Sequence, residues 1–247
     1  MNLIKTEKEI ELITKSCEIL SKVKKVLHDA IKPGVSLLEL DKIAFDEIAM
    51  LGGKPAFLGY HGFTGTICAS VNEELIHGIP SNRILLEGDL ISIDAGVIYE
   101  GYYSDSAFTK AVGTPSEEDN LLIKVAEEAF NRGLKAIKKG AKTRDLALAI
   151  GSYIKSMNLY TPSEFTGHGI GSSLHEEPYV YNDVERGNID VLLEDNMVIC
   201  IEPMIVQDSK KIKILKDGWT VVSKNGKKTS HFEQTVLIKN GKGIVLT

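Results

Sequence analysis

Leu90-Ile91-Ser92-Ile93-Asp94 and Tyr102-Tyr103-Ser104-Asp105 are strand-like runs that each end on an aspartate. If Tyr99-Glu100 is a two-residue hairpin loop, Ile98 faces Gly101 and Asp94 faces Asp105. Directly opposed residues on one sheet face stand about 4.5–5.5 Å apart at Cβ. Asp94 arrives through an apolar run, which predicts a buried side chain. Two facing buried carboxylates repel and are costly to desolvate, so a shared proton, basic partners or a metal must hold them together.

A second segment, Thr166-Gly167-His168-Gly169-Ile170-Gly171 through His175-Glu176, carries two histidines in a glycine-rich stretch, where backbone can approach a ligand closely. Glu202 ends the apolar run Met197–Ile201 ahead of Pro203, and Glu233 opens the run toward Thr235-Val236-Leu237-Ile238. An acidic residue buried in a strand needs a partner. Asp94, Asp105, His168, Glu202 and Glu233 together offer four carboxylates and one imidazole. That set suits a pair of divalent ions such as manganese, iron or cobalt better than a thiolate zinc site. Two ions about 3.5–4 Å apart would hold a bridging hydroxide and polarise a carbonyl.

These residues need elements to position them. Thr6-x-x-Glu9 is a capping box, and Ile10, Ile13, Cys17, Leu20, Val23, Leu27 and Ile31 follow as one helix stripe. Pro33-Gly34 ends it; Ser36-x-x-Glu39 opens a second helix that runs out at Gly52-Gly53. Thr114 as N-cap, Pro115 at the first helical position and a boxed Glu117 predict a third helix, ended by Gly140. Thr143 caps a fourth, through Ile154. Ile31, Lys32, Gly34, Glu39 and Leu40 return at a constant offset of 106 as Ile137, Lys138, Gly140, Asp145 and Leu146. The match is either an internal repeat or two helix pairs converging on the same turn chemistry. Strand-like runs cover 66–72, 89–98, 102–112, 197–206, 219–223 and 232–238. Helices and strands cluster in blocks, which predicts an α+β fold, and no Gly/Ser- or Pro-rich linker divides residues 1–247, which predicts a single domain.

The chain has 247 residues, 43% hydrophobic and 26% charged, with a net charge of −5 and no long basic run. That composition is globular and argues against nucleic-acid binding driven by phosphate neutralisation. Cys17, Cys68 and Cys200 are odd in number and widely spaced, so they read as reduced buried thiols. No stretch approaches a membrane span and the first residues lack the apolar core of a signal peptide. A soluble cytoplasmic protein is expected. His28, on the first helix, is expected to be solvated.

Tyr60-His61-Gly62-Phe63, Ser70-Val71-Asn72-Glu73-Glu74 and His77-Gly78-Ile79-Pro80 resemble the type I methionine aminopeptidases. Gly88-Asp89 through Asp94, Gly101 through Asp105, Gly167–Gly171, His175-Glu176, Ile201-Glu202-Pro203 and Asp217-Gly218-Trp219 continue the resemblance in order, over nearly the whole chain. It implies the pita-bread fold: two pseudo-symmetric α/β halves around a central antiparallel sheet. It also implies an enzyme that removes the initiator methionine from nascent polypeptides with a small second residue, by attack of a metal-bridged hydroxide. Asp94, Asp105 and Glu233 would bridge two divalent ions (cobalt, manganese, iron, zinc or nickel), and His168 and Glu202 would each complete one. Glu202 would also shuttle a proton, His77 would sit near the scissile amide nitrogen, and His175 would stabilise the oxyanion. Phe57, Tyr60, Phe63, Cys68, Leu174 and Trp219 would line the methionine pocket, with His61 at its mouth. The implied partners are emerging N-termini and, transiently, the ribosome, with no specific nucleic acid and no membrane; a monomer is expected.

Four positions depart from the family pattern. Gln234 stands where His is usual and His231 where Gln is common, which moves the groups supporting Glu233 and with them the metal affinity. Leu174 replaces a usual Phe and Phe57 a frequent Cys, reshaping the pocket. No Cys/His-rich extension is expected before residue 1, which resembles the short bacterial type I form. Proline-specific peptidases share the fold and the Gly-His-Gly-Ile-Gly segment, and metal-free binding relatives lose ligands, all five of which are present here. Because Asn2 is bulky, the protein is expected to keep its own Met1.

Overall fold

Four helices form two pairs in the computed structural model, which describes residues 3–185 and 190–247. Met1 and Asn2, on which the expected retention of the first methionine rests, lie outside the described residues. The first pair is α1 (Glu7–Ala30) and α2 (Leu37–Met50); the second is α3 (Glu117–Ala136) and α4 (Thr143–Ser156). Thr6/Glu9 and Ser36/Glu39 form the expected capping boxes. The α1 stripe is buried throughout, with Ile13, Leu20 and Leu27 fully so. Each such side chain contributes roughly 1.5–3 kcal/mol, and Leu20→Ala would cost about 2–5 kcal/mol with its cavity.

Two predicted caps shift. The N-cap of α3 is Ser116, boxed by Asp119, rather than Thr114 with Glu117. A serine hydroxyl and a carboxylate three residues on satisfy the same exposed N–H groups two residues later. The N-cap of α4 is Lys142, whose N–H donates to Asp145 Oδ2 at 2.8 Å, so Thr143 is already helical.

The offset of 106 is structural. It carries α2 onto α4, residue for residue. The bonds beside it return as well, the Leu37 N–H donating to Arg83 O as the Thr143 N–H donating to Val191 O and the Leu85–Val35 bond as Leu193–Ala141, with the strand-side residues Arg83 and Leu85 displaced by 108 rather than 106. Gly34 and Gly140, at φ 91° and 81°, make the left-handed turn after each first helix, where a side chain would be strained. The chain is therefore an internal repeat, and convergence of turn chemistry alone does not explain it.

Between the halves lies one antiparallel sheet of nine strands: β1 (Lys54–Pro55), β2 (Ile67–Val71), β4 (Leu90–Tyr99), β5 (Tyr102–Ala111), β7 (Gly167–Gly169), β8 (Glu176–Val180), β9 (Val198–Ile201), β14 (Glu233–Lys239) and β15 (Lys242–Val245). Its path runs β1-β4-β5-β14-β9-β7-β8, with β2 also on β4 and β15 also on β14. Two three-stranded sheets complete the molecule, β13 (Ser230–His231), β10 (Met204–Gln207) and β6 (Leu159–Tyr160), then β11 (Ile212–Ile214), β12 (Val221–Ser223) and β3 (Glu74–Ile76). The first helix pair covers one end of the large sheet and the second covers the other, each with its own apolar core.

The predicted hairpin register is off by two. Tyr99 pairs with Tyr102, Gly96 with Asp105 and Asp94 with Ala107. The loop is Glu100-Gly101 because both residues hold positive φ, 48° and 86°, as the tight turn that matches strand twist requires. A shift of two keeps every side chain on its face, so Asp94 and Asp105 remain diagonal neighbours. The predicted strand 197–206 is also two strands. Pro203 has no N–H to give a ladder, and the chain leaves the large sheet at Glu202 to enter the β13-β10-β6 sheet.

Candidate metal centre and active site

Strand register assembles the acidic cluster. Asp94 pairs with Ala107, and Ala107 with Glu233, which sets the three in one row across β4, β5 and β14. Asp105 lies two residues before Ala107 on the same face, so three carboxylates ring a methyl group. Glu202 is added at the end of β9, where its carbonyl accepts from Asn182 Nδ2 at 3.0 Å. His168 comes from β7, wedged between β8 and β9. A Cβ on Gly167 would stand 2.3 Å from Cys200 O, and one on Gly169 2.1 Å from Glu177 O. Only glycine admits the close approach that brings His168 into the centre.

The geometry calls for cations. His168 Nδ1 is 2.9 Å from Gly169 O, so the ring proton goes to that carbonyl and the Nε2 lone pair faces inward. There Nε2 stands 3.6 Å from Glu202 Oε1 and 3.9 Å from both Asp105 Oδ2 and Glu233 Oε1. These spacings exceed hydrogen bonds and leave room for an ion between the groups. Asp94 Oδ1, Asp105 Oδ1 and Glu233 Oε1 are buried without hydrogen-bond partners. Asp94, Asp105 and Glu233 place ligand atoms within 4.8 Å of one another, as do Glu202, His231 and Glu233. Burial, then mutual repulsion, lifts the Asp105 and Glu233 carboxyls well above the usual range. Burial and Asp94 do the same to Glu202, and burial raises Asp94. Divalent cations relieve all of these strains at once, so the donor set fits them. Cys200 also lies within 4.8 Å of His168 and Glu233; burial, then the Glu233 and Asp105 charges, push its thiol well up.

A cavity of about 270 Å³ opens onto this cluster. Phe57, Tyr60, Phe63, Cys68, Leu174 and Trp219 line it, as do His77, His175 and all five predicted ligands. His61 is exposed and packs edge-on against Tyr60, with ring centroids 4.4 Å apart. Trp219 is fixed by Asp217, whose Oδ1 accepts from both the Trp219 and Thr220 N–H groups at 2.9 Å. Its ring stands edge-on to Phe63 at 5.1 Å.

Two histidines flank the cluster. Tyr60 Oη is 2.8 Å from His175 Nδ1; with the hydroxyl donating, the imidazole proton sits on Nε2. Burial, then His61, lowers the His175 pKa, which keeps the ring neutral. His77 holds a left-handed φ of 58°, a strained conformation for a non-glycine residue and one that marks functional sites. Burial and the neighbouring histidines push its pKa down to about 4, and burial chiefly pushes His168 to about 3.

Several participants escape the sequence reading. Ile76, Phe165 and Thr166 also line the cavity, and Phe165 stands edge-on to His77 at 5.6 Å. Strand alternation from His168 points to Thr166, and the same alternation from Glu233 points to His231. Gln234 faces the other way. Its Oε1 accepts from Lys24 Nζ at 3.1 Å and from Thr247 Oγ1 at 2.8 Å. The predicted exchange between positions 231 and 234 is thus a change of sheet face. His28 is exposed, as expected, and all three cysteines are free and buried.

Comparison with known proteins adds the lineage. The model of metallopeptidase family M24 matches residues 11–240. The chain is 42% identical over 240 residues to methionine aminopeptidase 1 of Bacillus subtilis, covering 96% of each chain. It superposes on the crystal structure of methionine aminopeptidase from Thermotoga maritima with a TM-score of 0.96 and 34% identity, covering 100% of this chain and 99% of that one. The prolidase of Pyrococcus furiosus gives a TM-score of 0.81 at 29% identity, covering 99% of this chain and 65% of that one. These likenesses make the architecture the pita-bread fold expected from the sequence.

Proposed function

Because this chain belongs to metallopeptidase family M24, we propose that it is a methionine aminopeptidase. It removes the initiator methionine from nascent chains with a small second residue, using two divalent ions and residues 1–247 as one catalytic unit. The observation that carries this reading is the junction of an apolar cavity with a cluster of four carboxylates and an inward imidazole lone pair.

Asp94, Asp105 and Glu233 would hold one ion; His168 and Glu202 would hold the second, with Asp105 and Glu233 shared. Such ions supply Lewis-acid polarisation of the scissile carbonyl and lower the pKa of the attacking water. The protein supplies the rest. Phe57, Phe63, Cys68, Leu174 and Trp219 bury an unbranched thioether side chain, which fixes the first peptide bond over the cluster. His175, protonated on Nε2, donates to the carbonyl oxygen as charge develops there. Glu202 accepts a proton from water and returns it to the departing amine. His77 faces the amide nitrogen. His61, at the cavity mouth, borders the second residue.

The enzyme acts on N-termini as they emerge, in the cytoplasm, as a monomer in transient contact with the ribosome. Among the described residues no helix is long and apolar enough to cross a membrane. The test is methionine release from Met-Ala-Ser, compared with Leu-Ala-Ser and Ala-Pro-Ser, by chelator-stripped protein given manganese, iron or cobalt. Metal-dependent cleavage of Met-Ala-Ser alone is expected. Cleavage of Ala-Pro-Ser instead would overturn the pocket assignment, and silence on all three by folded, metal-loaded protein would overturn the enzymatic reading.

A further inference from the structure

His231 is buried at 1% exposure, and neither ring nitrogen has a hydrogen-bond partner. A buried imidazole left in that state loses its hydration without replacement. Its position is enforced. The His231 N–H donates to Thr109 Oγ1 at 2.9 Å, Thr109 Oγ1 donates to His231 O at 2.8 Å, and His231 pairs with Met204 across β13 and β10. The next residue, Phe232, turns the other way and packs against Phe130 at 5.3 Å between centroids. His231 therefore shares the face of Glu233.

On that face its Nε2 stands 3.5 Å from Glu202 Oε2, and ligand atoms of Glu202, His231 and Glu233 lie within 4.8 Å of one another. A hydrogen bond would hold this nitrogen and oxygen about 2.7–3.2 Å apart. Two donors on one ion, at bond lengths of about 2.0–2.2 Å and angles of 90–109°, stand roughly 3–3.4 Å apart. The observed separation fits shared ligation better than a direct bond. We propose that His231 is a further nitrogen ligand of the metal centre, holding with Glu202 and Glu233 the ion that also faces His168.

That position then has two imidazole donors while the Asp94 side has only carboxylates. Imidazole suits iron, nickel and zinc, whereas carboxylates suit manganese, so the Glu202 side discriminates against manganese. The inference rests on the reading that the site binds divalent ions, and the experiment separates the two. The protein is saturated with cobalt(II), and the strongly shifted imidazole proton resonances of ligated histidines are counted by NMR in wild type, His231→Gln and His168→Gln. Two sets are expected, one lost in each variant. Cobalt affinity by chelator competition should fall at least about tenfold in His231→Gln, and manganese affinity should fall less. A single set lost only in His168→Gln, or a second set surviving in His231→Gln, overturns the proposal and leaves the metal centre standing. No set lost in His168→Gln overturns both. If His231→Gln does not fold, the wild-type count decides: one set overturns the proposal.

Discussion

Lys5 reaches from the N-terminal segment to Glu176, with Nζ 2.5 Å from Oε2 and the two side chains only 5% and 2% exposed. Glu176 also accepts from the Ser173 N–H at 3.0 Å and Ser172 Oγ at 3.3 Å through Oε1, and it follows His175 directly. The pair thus clamps the glycine-rich loop that carries the proposed oxyanion donor. Two unit charges about 3 Å apart at an effective dielectric near 20 attract by roughly 5 kcal/mol. Removing one partner of a buried pair costs about 3–5 kcal/mol, since the survivor is left uncompensated. The two remaining donors to Glu176 place Lys5→Met near 3 kcal/mol. Glu176→Gln takes the carboxylate away from the buried ammonium instead and costs about as much. The double variant leaves no buried charge, so it should recover most of the loss and show a coupling of roughly 2–3 kcal/mol. Urea unfolding at fixed metal concentration measures the cycle. Lys5→Met should also lower kcat on Met-Ala-Ser with little change in KM, because loop position matters to the transition state. Additivity within about 0.5 kcal/mol, or an unchanged kcat, would refute the clamp.

Other outcomes follow from the same geometry. Gly169→Ala must displace the Glu177 carbonyl, 2.1 Å from the added Cβ; it should cost roughly 1–3 kcal/mol in urea unfolding and weaken metal binding in a chelator titration. Raised carboxyl pKa values favour the protonated form of the stripped fold, so that contribution is present at low pH and lost as pH rises through the raised values of Asp105, Glu202 and Glu233. Added manganese should therefore raise the melting temperature more at pH 7.5 than at pH 5.5, as ions replace protons; an equal shift at both would contradict a carboxylate site. Trp219→Ala opens the cavity wall beside Phe63 and should raise KM for Met-Ala-Ser about tenfold, about 1.4 kcal/mol of uniform binding, with kcat preserved.

Much of this molecule is written in short-range pattern. The helix stripes, two of the capping boxes, the repeat offset and the strand cores follow from local periodicity and turn chemistry, which neighbouring residues decide among themselves. The candidate ligands are legible for a related reason: a carboxylate closing an apolar strand is costly unless something answers it, and motif order supplies the family. Errors concentrate where one local signal permits two solutions. Thr114 and Ser116 both can cap a helix, and Tyr99-Glu100 and Glu100-Gly101 both can turn a hairpin.

What the tertiary structure alone decided is which faces meet. Ala107 becomes the small residue between Asp94 and Glu233 only when β4, β5 and β14 pair in register. Lys5 finds Glu176 across 171 residues, beyond the reach of any periodicity. The positions of His231 and Gln234 differ in kind because strand alternation turns one toward the Glu202 and Glu233 carboxylates and the other toward Lys24. Sequence determined the groups able to bind metal and the elements bearing them. Long-range strand pairing, which no local window contains, brought those groups together around one buried cluster, with ligand atoms within 4.8 Å of one another in each triad.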